Sequence, residues 1–346
     1  MAYQNVGTPR FYVSILQWLN SLGKLEANLN YADTYQQTAT GQDIIGLVNI
    51  NPSSQTGLST TISGSQLLLV FTSNAGNFSK IMPNDNNFFM NLGHTLGGVQ
   101  TNLNSIGTTW VRVADDYLVG SKDYDGFTIR YDAEGGDADD VEANTVAMSI
   151  EQHEINTPYK LGSFLYGTYY DMPHSPDLKL TMTREMDGVK RIRTKGGADL
   201  VKHQYTKPAM WGSAGAWELY SGTPSNQELS RSGRRTWSLS FSYLQGTNST
   251  SNDDSIFPQV ASLNWYESYD DGVAYGEGTG ATLLLSDTFY GQVIHKTNGG
   301  QLPFIFQPDN NDNTNFAICK FDMKSFDFKQ VANGVYNMKL KIREVW

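Results

Sequence analysis

Side-by-side carboxylates recur in this chain, at Asp115-Asp116, Asp139-Asp140, Asp253-Asp254 and Asp270-Asp271, and they are the first candidates for acid–base chemistry. Glycoside hydrolysis needs two carboxyl groups roughly 5–9 Å apart across a sugar-sized cleft. Neighbouring residues on a strand point to opposite faces, so adjacent aspartates do not make that geometry. The histidines are His94, His153, His174, His203 and His295. No two share the helical spacing of a ligand pair, and none joins Cys319 in a zinc pattern. His153, in Glu151-Gln152-His153-Glu154, precedes Pro158 at a strand end, where solvent contact accounts for it. Cys319 is the single cysteine and lies in the apolar run 316–321 with no base nearby in sequence, which reads as a buried, inert thiol. The acidic run 132–140 does not follow the EF-hand spacing and reads as a solvated loop. Neither a Gly-x-Ser-x-Gly elbow nor a phosphate-binding Gly-x-x-x-x-Gly-Lys loop occurs. No catalytic, cofactor-binding or metal-ligating residues are expected, no cofactor, and no enzymatic activity.

Aromatic side chains offer a different chemistry. Tyr166, Tyr169 and Tyr170, or Trp211 and Trp217, have the makings of a sugar-stacking platform, although packing in a core or between subunits explains them more simply. The chain holds 19 Tyr, 16 Phe, 7 Trp and 33 Gly, while charged residues make up 17%. Aromatics suit pleated surfaces and glycine suits the turns between them, a balance that favours an all-β protein. The net charge of −10 argues against a nucleic-acid partner, which needs a concentrated basic face. The basic clusters, 190–195 and 231–235, are short and strand-like and read as subunit salt bridges or turn anchors. No run of about 18 apolar residues exists, so no membrane span is expected. The segment Met1-Ala2-Tyr3-Gln4-Asn5 has no secretory signal pattern, so synthesis in a cytoplasm is expected.

The elements that position these residues are short strands. A chain of 346 residues is too long for one typical core and suggests two or three domains. One segment has helical spacing: Phe11, Ile15, Trp18, Leu19 and Leu22 recur every three or four residues over 11–22, and Gly23 stops them. A strand over Phe11-Tyr12-Val13 leading into a shorter helix is the competing reading. From about residue 44, β-branched and aromatic runs alternate with turn clusters such as Asn51-Pro52-Ser53-Ser54, the spacing of a β-sandwich or jelly roll. The text changes near Thr157-Pro158, which sets domains at 1–155 and 156–346. In the second, residues 178–184 and 189–193 are expected to form a hairpin about Asp187-Gly188. Trp237, Leu239, Phe241 and Tyr243 alternate onto one face, 288–294 reads as a short helix, and Gly299-Gly300 turns the chain into its last strands. Residues 246–280 read as an inserted loop.

The order Ser232-Gly233-Arg234-Arg235-Thr236-Trp237-Ser238-Leu239-Ser240-Phe241, a helix-like piece, a Gly-Gly turn into Leu302-Pro303-Phe304-Ile305-Phe306-Gln307-Pro308, a Phe-rich strand and a terminal Arg343-Glu344-Val345-Trp346 resembles the distal and minor tail proteins of long-tailed bacteriophages. The likeness covers roughly 160–346. It implies a β-barrel-like tail-hub domain that assembles as a homo-oligomeric ring, in a virion tail protein of the baseplate that meets the tube, hub and fibre proteins. Trp237, Phe241, Phe304, Phe306, Tyr336 and Trp346 are then expected at the oligomer interface or in packing. In the first half, the Leu92-Gly93-His94 segment is similar to that of jelly-roll, discoidin-like modules of phage structural proteins. Host surface glycans are therefore a further expected partner, with His94 and Trp110 facing the sugar. The expected function is a virion structural protein linking the tail tube to the host-recognition apparatus. The alternatives are a carbohydrate-binding adhesin and a head-decorating or connector protein.

Overall fold

Residues 10–21 fold first as a strand and then as a helix, and the junction sets the architecture. The computed structural model describes residues 6–33, 36–48, 56–58, 66–76, 78, 81, 88–94, 110–115, 125–131, 144–151, 159–185, 190–202, 210–211, 214–215, 234–245, 288–311 and 317–345. Strand β1 (Arg10–Ser14) runs into helix α1 (Ile15–Ser21). The helix expected over 11–22 is thus confined to its second half, and the competing reading describes the chain. Every residue of β1 is buried, so its apolar pattern shows no alternation that would distinguish strand from helix. Ser14 is the switch: its backbone is extended, and its Oγ accepts from the Gln17 N–H at 3.3 Å, capping the helix. Gly23, at φ +64°, ends it. The Gly23 and Lys24 N–H groups donate back to the Asn20 and Leu19 carbonyls, closing a Schellman motif.

The remaining strands are β2 (Leu25–Asp33), β3 (Gln36–Asp43), β4 (Thr56–Leu58), β5 (Gln66–Ser73), β6 (Phe88–His94), β7 (Trp110–Asp115), β8 (Asp125–Tyr131), β9 (Thr145–Glu151), β10 (Tyr159–Asp171), β11 (Thr181–Glu185), β12 (Lys190–Arg193), β13 (Asp199–Lys202), β14 (Met210–Trp211), β15 (Ala214–Gly215), β16 (Arg234–Gln245), β17 (Phe304–Gln307), β18 (Ala317–Phe321), β19 (Phe328–Ala332) and β20 (Val335–Glu344). The fold is all-β with antiparallel sheets. A twelve-stranded sheet runs β11-β16-β20-β18-β17-β1-β10-β6-β8-β7, with β19 added on β20 and β4 on β10. A second sheet runs β3-β2-β5-β9, and β12-β13 and β14-β15 are separate pairs.

Two hydrophobic cores result, and β10 serves both. The first gathers α1, Leu29, Leu69, Phe71 and, from β10, Phe164 and Tyr166. Phe71 of the four-stranded sheet stacks on Phe164 of the large sheet, centroids 4.7 Å apart. The second gathers Phe11 and Val13 of β1, Tyr170 at the far end of β10, and Trp237, Phe241, Phe289, Phe304, Phe306, Phe321 and Ile342. Each such side chain contributes on the order of 2 kcal/mol when fully buried. Strand β1 lies between β10 and β17, and β4 and β6 also pair with β10, so residues from both sides of position 155 share one sheet. The approach of β1 to β10 depends on Gly167, because a Cβ there would meet the Val13 carbonyl oxygen at 2.0 Å.

Two expected features take a different form. Strand β11 pairs with β16, while β12 pairs with β13, so the hairpin expected about Asp187-Gly188 is instead turned at 194–198. There the Thr194 N–H donates to the Ala198 carbonyl at 2.8 Å, and Gly197 supplies φ +86°. Tyr243 does not follow Trp237, Leu239 and Phe241 inward. The register against β20 shifts between Phe241 and Leu244, Tyr243 takes φ +63° and is 78% exposed, and Leu244 fills the core in its place.

Candidate interaction surface

Four of the six side chains expected at an interface or in packing are packed inside the chain. Trp237, Phe241, Phe304 and Phe306 are fully buried. Trp237 meets Phe306 edge-on at 5.2 Å, and Phe11 contacts both Phe304 and Phe306. These four side chains therefore pack within the chain and are not presented at its surface. Tyr336 is half-buried against the same core. Trp346 lies outside the described residues.

His94 and Trp110 are set apart by the strand register. His94 on β6 stands opposite Asp125, at the start of β8, and Trp110 on β7 stands opposite Tyr131, at its end. Six residues of strand separate those positions, roughly 20 Å. One small sugar does not span them. Of the aromatic platform, Tyr166, Tyr169 and Tyr170 are buried. Trp211 sits on β14, and Trp217 lies outside the described residues.

Buried polar groups form three anchors. Arg10 and Asp171, opposite each other on β1 and β10, make two hydrogen bonds of 2.7 Å, and the guanidinium lies 4.3 Å from the Tyr169 ring centroid. Burial is the largest influence and opposes the Arg10 charge, but hydrogen bonding and attraction from Asp171 and Tyr12 together outweigh it and hold the guanidinium protonated. The second anchor joins Arg235 of β16 to Glu344 of β20 at 3.0 Å. Burial raises the Glu344 carboxyl above its usual value, and the attraction of Arg235 offsets this only in part. The same burial, reinforced by Glu344, pushes the Cys319 thiol up, which makes it a poor nucleophile.

The third anchor lies in the helical segment 289–297, a π turn (Tyr290–Ile294) followed by a 3-10 turn (His295–Thr297). Lys296 is fully buried, and its Nζ donates to Gln292 Oε1 at 3.1 Å; Thr168 Oγ1 donates to the same oxygen at 2.8 Å. Burial lowers the Lys296 pKa to about 7. His295, against Trp18, falls to about 4 through burial and the neighbouring Lys296 charge. No sequence pattern singled out this cluster; a lone lysine between a helix and Gly299-Gly300 looks like any surface cation.

Among the described residues, a strand edge and a hairpin stand out at the surface. Among the described residues β11 is paired on one side only. Thr181, Thr183 and Arg184 of that edge are exposed, and Leu178 just before it is fully exposed. Four residues beyond β11, the β12-β13 hairpin exposes Ile192 and Leu200, and Arg191 pairs with Asp199 across it. The basic text at 190–195 was the readable signal for this hairpin. Of the other basic cluster, Arg235 is turned inward to Glu344.

Among the described residues no three His, Cys, Asp or Glu side chains gather as around a metal ion, and no helix is long and apolar enough to cross a membrane. Comparisons with protein-family models, with curated proteins and with solved structures found no match to this chain.

Proposed function

We propose that this chain is a virion structural protein of a tailed bacteriophage, a ring-forming distal or minor tail component that joins the tail tube to the host-recognition apparatus. The observation that carries the assembly role is the β11 end of the large sheet, where among the described residues the strand is paired on one side only, with β16. A strand at the end of a sheet is a template for another chain, and monomeric proteins hide or guard such strands. Leu178 beside it adds an apolar contact that a monomer gains nothing by exposing. In this reading the large sheet, in which β1 joins the strands between 159 and 344, makes the hub, and the smaller sheet with its neighbours makes a module that braces adjoining proteins. The tail placement rests on the likeness of residues 160–346 to distal tail proteins.

Negative-stain electron microscopy of the purified full-length chain, with immunogold labelling of phage particles, tests the reading. Closed rings and label at the tail tip are expected. A stable monomer absent from particles, or label dispersed over the head, overturns it. Truncating the last strand is not a usable test of assembly. β20 pairs with β16, β18 and β19 and buries Met338, Leu340, Ile342 and Glu344, so its removal dismantles the subunit itself.

A further inference from the structure

The β12-β13 hairpin stands apart from both cores. Among the described residues its strands pair with each other and with no third strand. Every residue over 191–201 is exposed except Thr194, which is half-buried. Ile192 and Leu200 are opposite each other in the register, on one face, and are 62% and 59% exposed. An isolated two-stranded hairpin is marginal in water, and an apolar pair at its centre gains stability only when something covers it.

Charge indicates what covers it. Residues 190–202 carry Lys190, Arg191, Arg193, Lys195 and Lys202 against Asp199, a net +4; with the whole chain at −10, the remaining residues carry −14. The hairpin is thus a basic arm on an acidic body. A nucleic acid would meet the cations but leave Ile192 and Leu200 unmatched. A folded acidic protein meets both, with an apolar centre and a charged rim.

We propose that the 190–202 arm docks on the acidic body of a second copy of this chain, with the Ile192–Leu200 face at the centre of the contact. This deepens the assembly reading and rests on it for the identity of the partner. The mode of contact differs from strand addition at β11, because it is driven by opposite charge and is therefore sensitive to salt.

Sedimentation velocity on the full-length chain tests it, at low and high salt, for wild type and two double variants: Arg193→Glu with Lys195→Glu, and Ile192→Ser with Leu200→Ser. None of these four side chains enters either core, so the near-ultraviolet circular dichroism should be unchanged and should show that each variant folds. The wild type is expected to self-associate more weakly as salt rises, and each double variant to raise the dissociation constant about tenfold or more. Self-association that is equally strong in both variants overturns the arm contact and leaves the assembly reading standing. A wild type that is monomeric at every salt concentration overturns both. A labelled duplex oligonucleotide is the third probe: binding that is lost in the Arg193→Glu, Lys195→Glu variant, while self-association is untouched, assigns the arm to nucleic acid and overturns the proposal.

Discussion

Replacing Lys296 by methionine should stabilise this protein, and by an amount that shrinks as pH rises. The ammonium is fully buried, and burial has lowered its pKa from 10.5 to about 7. The depressed value means that the unfolded chain binds the proton more tightly than the folded one between those two limits. Below about pH 7 the folded protein carries the whole penalty; above about pH 10.5 it carries none, so stability rises with pH across the window. At roughly 1.4 kcal/mol per unit, the full penalty is on the order of 5 kcal/mol, falling to about 4 at about pH 7.5 and about 2 at about pH 9. Methionine matches the volume of the lysine stem, and Gln292 Oε1 keeps its bond from Thr168 Oγ1, so the lost Lys296 hydrogen bond costs only about 1 kcal/mol. Lys296→Met should therefore be more stable than wild type by about 3 kcal/mol at about pH 7.5 and about 1 kcal/mol at about pH 9. Urea unfolding followed by tryptophan fluorescence across that range measures it. Burial raises the Tyr166 and Cys319 pKa values, and these groups erode stability at alkaline pH. They do so in both proteins, so the difference between the two curves isolates Lys296. His295, held near 4, stays neutral when folded throughout this range. Parallel curves, or a variant less stable at about pH 7.5, would refute the assignment of a buried charge to Lys296.

Arg235→Met strips the partner from a fully buried carboxylate and should cost about 3–5 kcal/mol at neutral pH. The deficit should narrow on acidification, because a protonated Glu344 no longer carries uncompensated charge; urea midpoints at neutral and mildly acidic pH measure both effects. Gly167→Ala drives a methyl into the Val13 carbonyl oxygen and the Ile15 nitrogen, which are backbone atoms of the β1–α1 junction and cannot step aside. Separating β1 from β10 should cost several kcal/mol, more than the roughly 1–3 kcal/mol typical of an overpacked side chain, and thermal melting with loss of near-ultraviolet signal reads it out.

The legible and illegible parts of the fold divide along burial. Where one face of a strand is wet, alternation betrays it: Trp237, Leu239 and Phe241 are buried, with Ser238 between them exposed. β1 is buried on both faces, so Phe11-Tyr12-Val13 carries no period of two and merges with the helical spacing that follows. Its position between β10 and β17, roughly 150 and 300 residues away in sequence, is a non-local fact that no window contains. Tyr243 escaped for a local reason. A bulge reverses the face of every residue after it, and nothing in Phe241-Ser242-Tyr243-Leu244 announces a residue at positive φ. The 194–198 turn was missed because Asp187-Gly188 is the stronger textual signal, although a dipeptide says only that the chain can turn there.

Of the two places expected for the large aromatics, interface or packing, four of them take the second, and the choice has a physical reason. Trp and Phe are enriched at interfaces and in cores alike, so their presence alone does not say which side of the sheet they occupy. In this chain the second core takes Trp237, Phe241, Phe304 and Phe306, along with Phe11, Phe289 and Phe321. With these large aromatics enclosed, the proposed contacts rest on the edge strand β11, which among the described residues pairs with β16 alone, and on the basic, apolar-tipped β12-β13 hairpin. A low overall charge then works in favour of specificity. Five of the chain's 25 Lys and Arg fall within residues 190–202 and concentrate positive charge on that hairpin. In the proposed ring one contact would repeat around an axis, so a single hairpin of this kind, copied in every subunit, would bias each neighbour toward the same orientation.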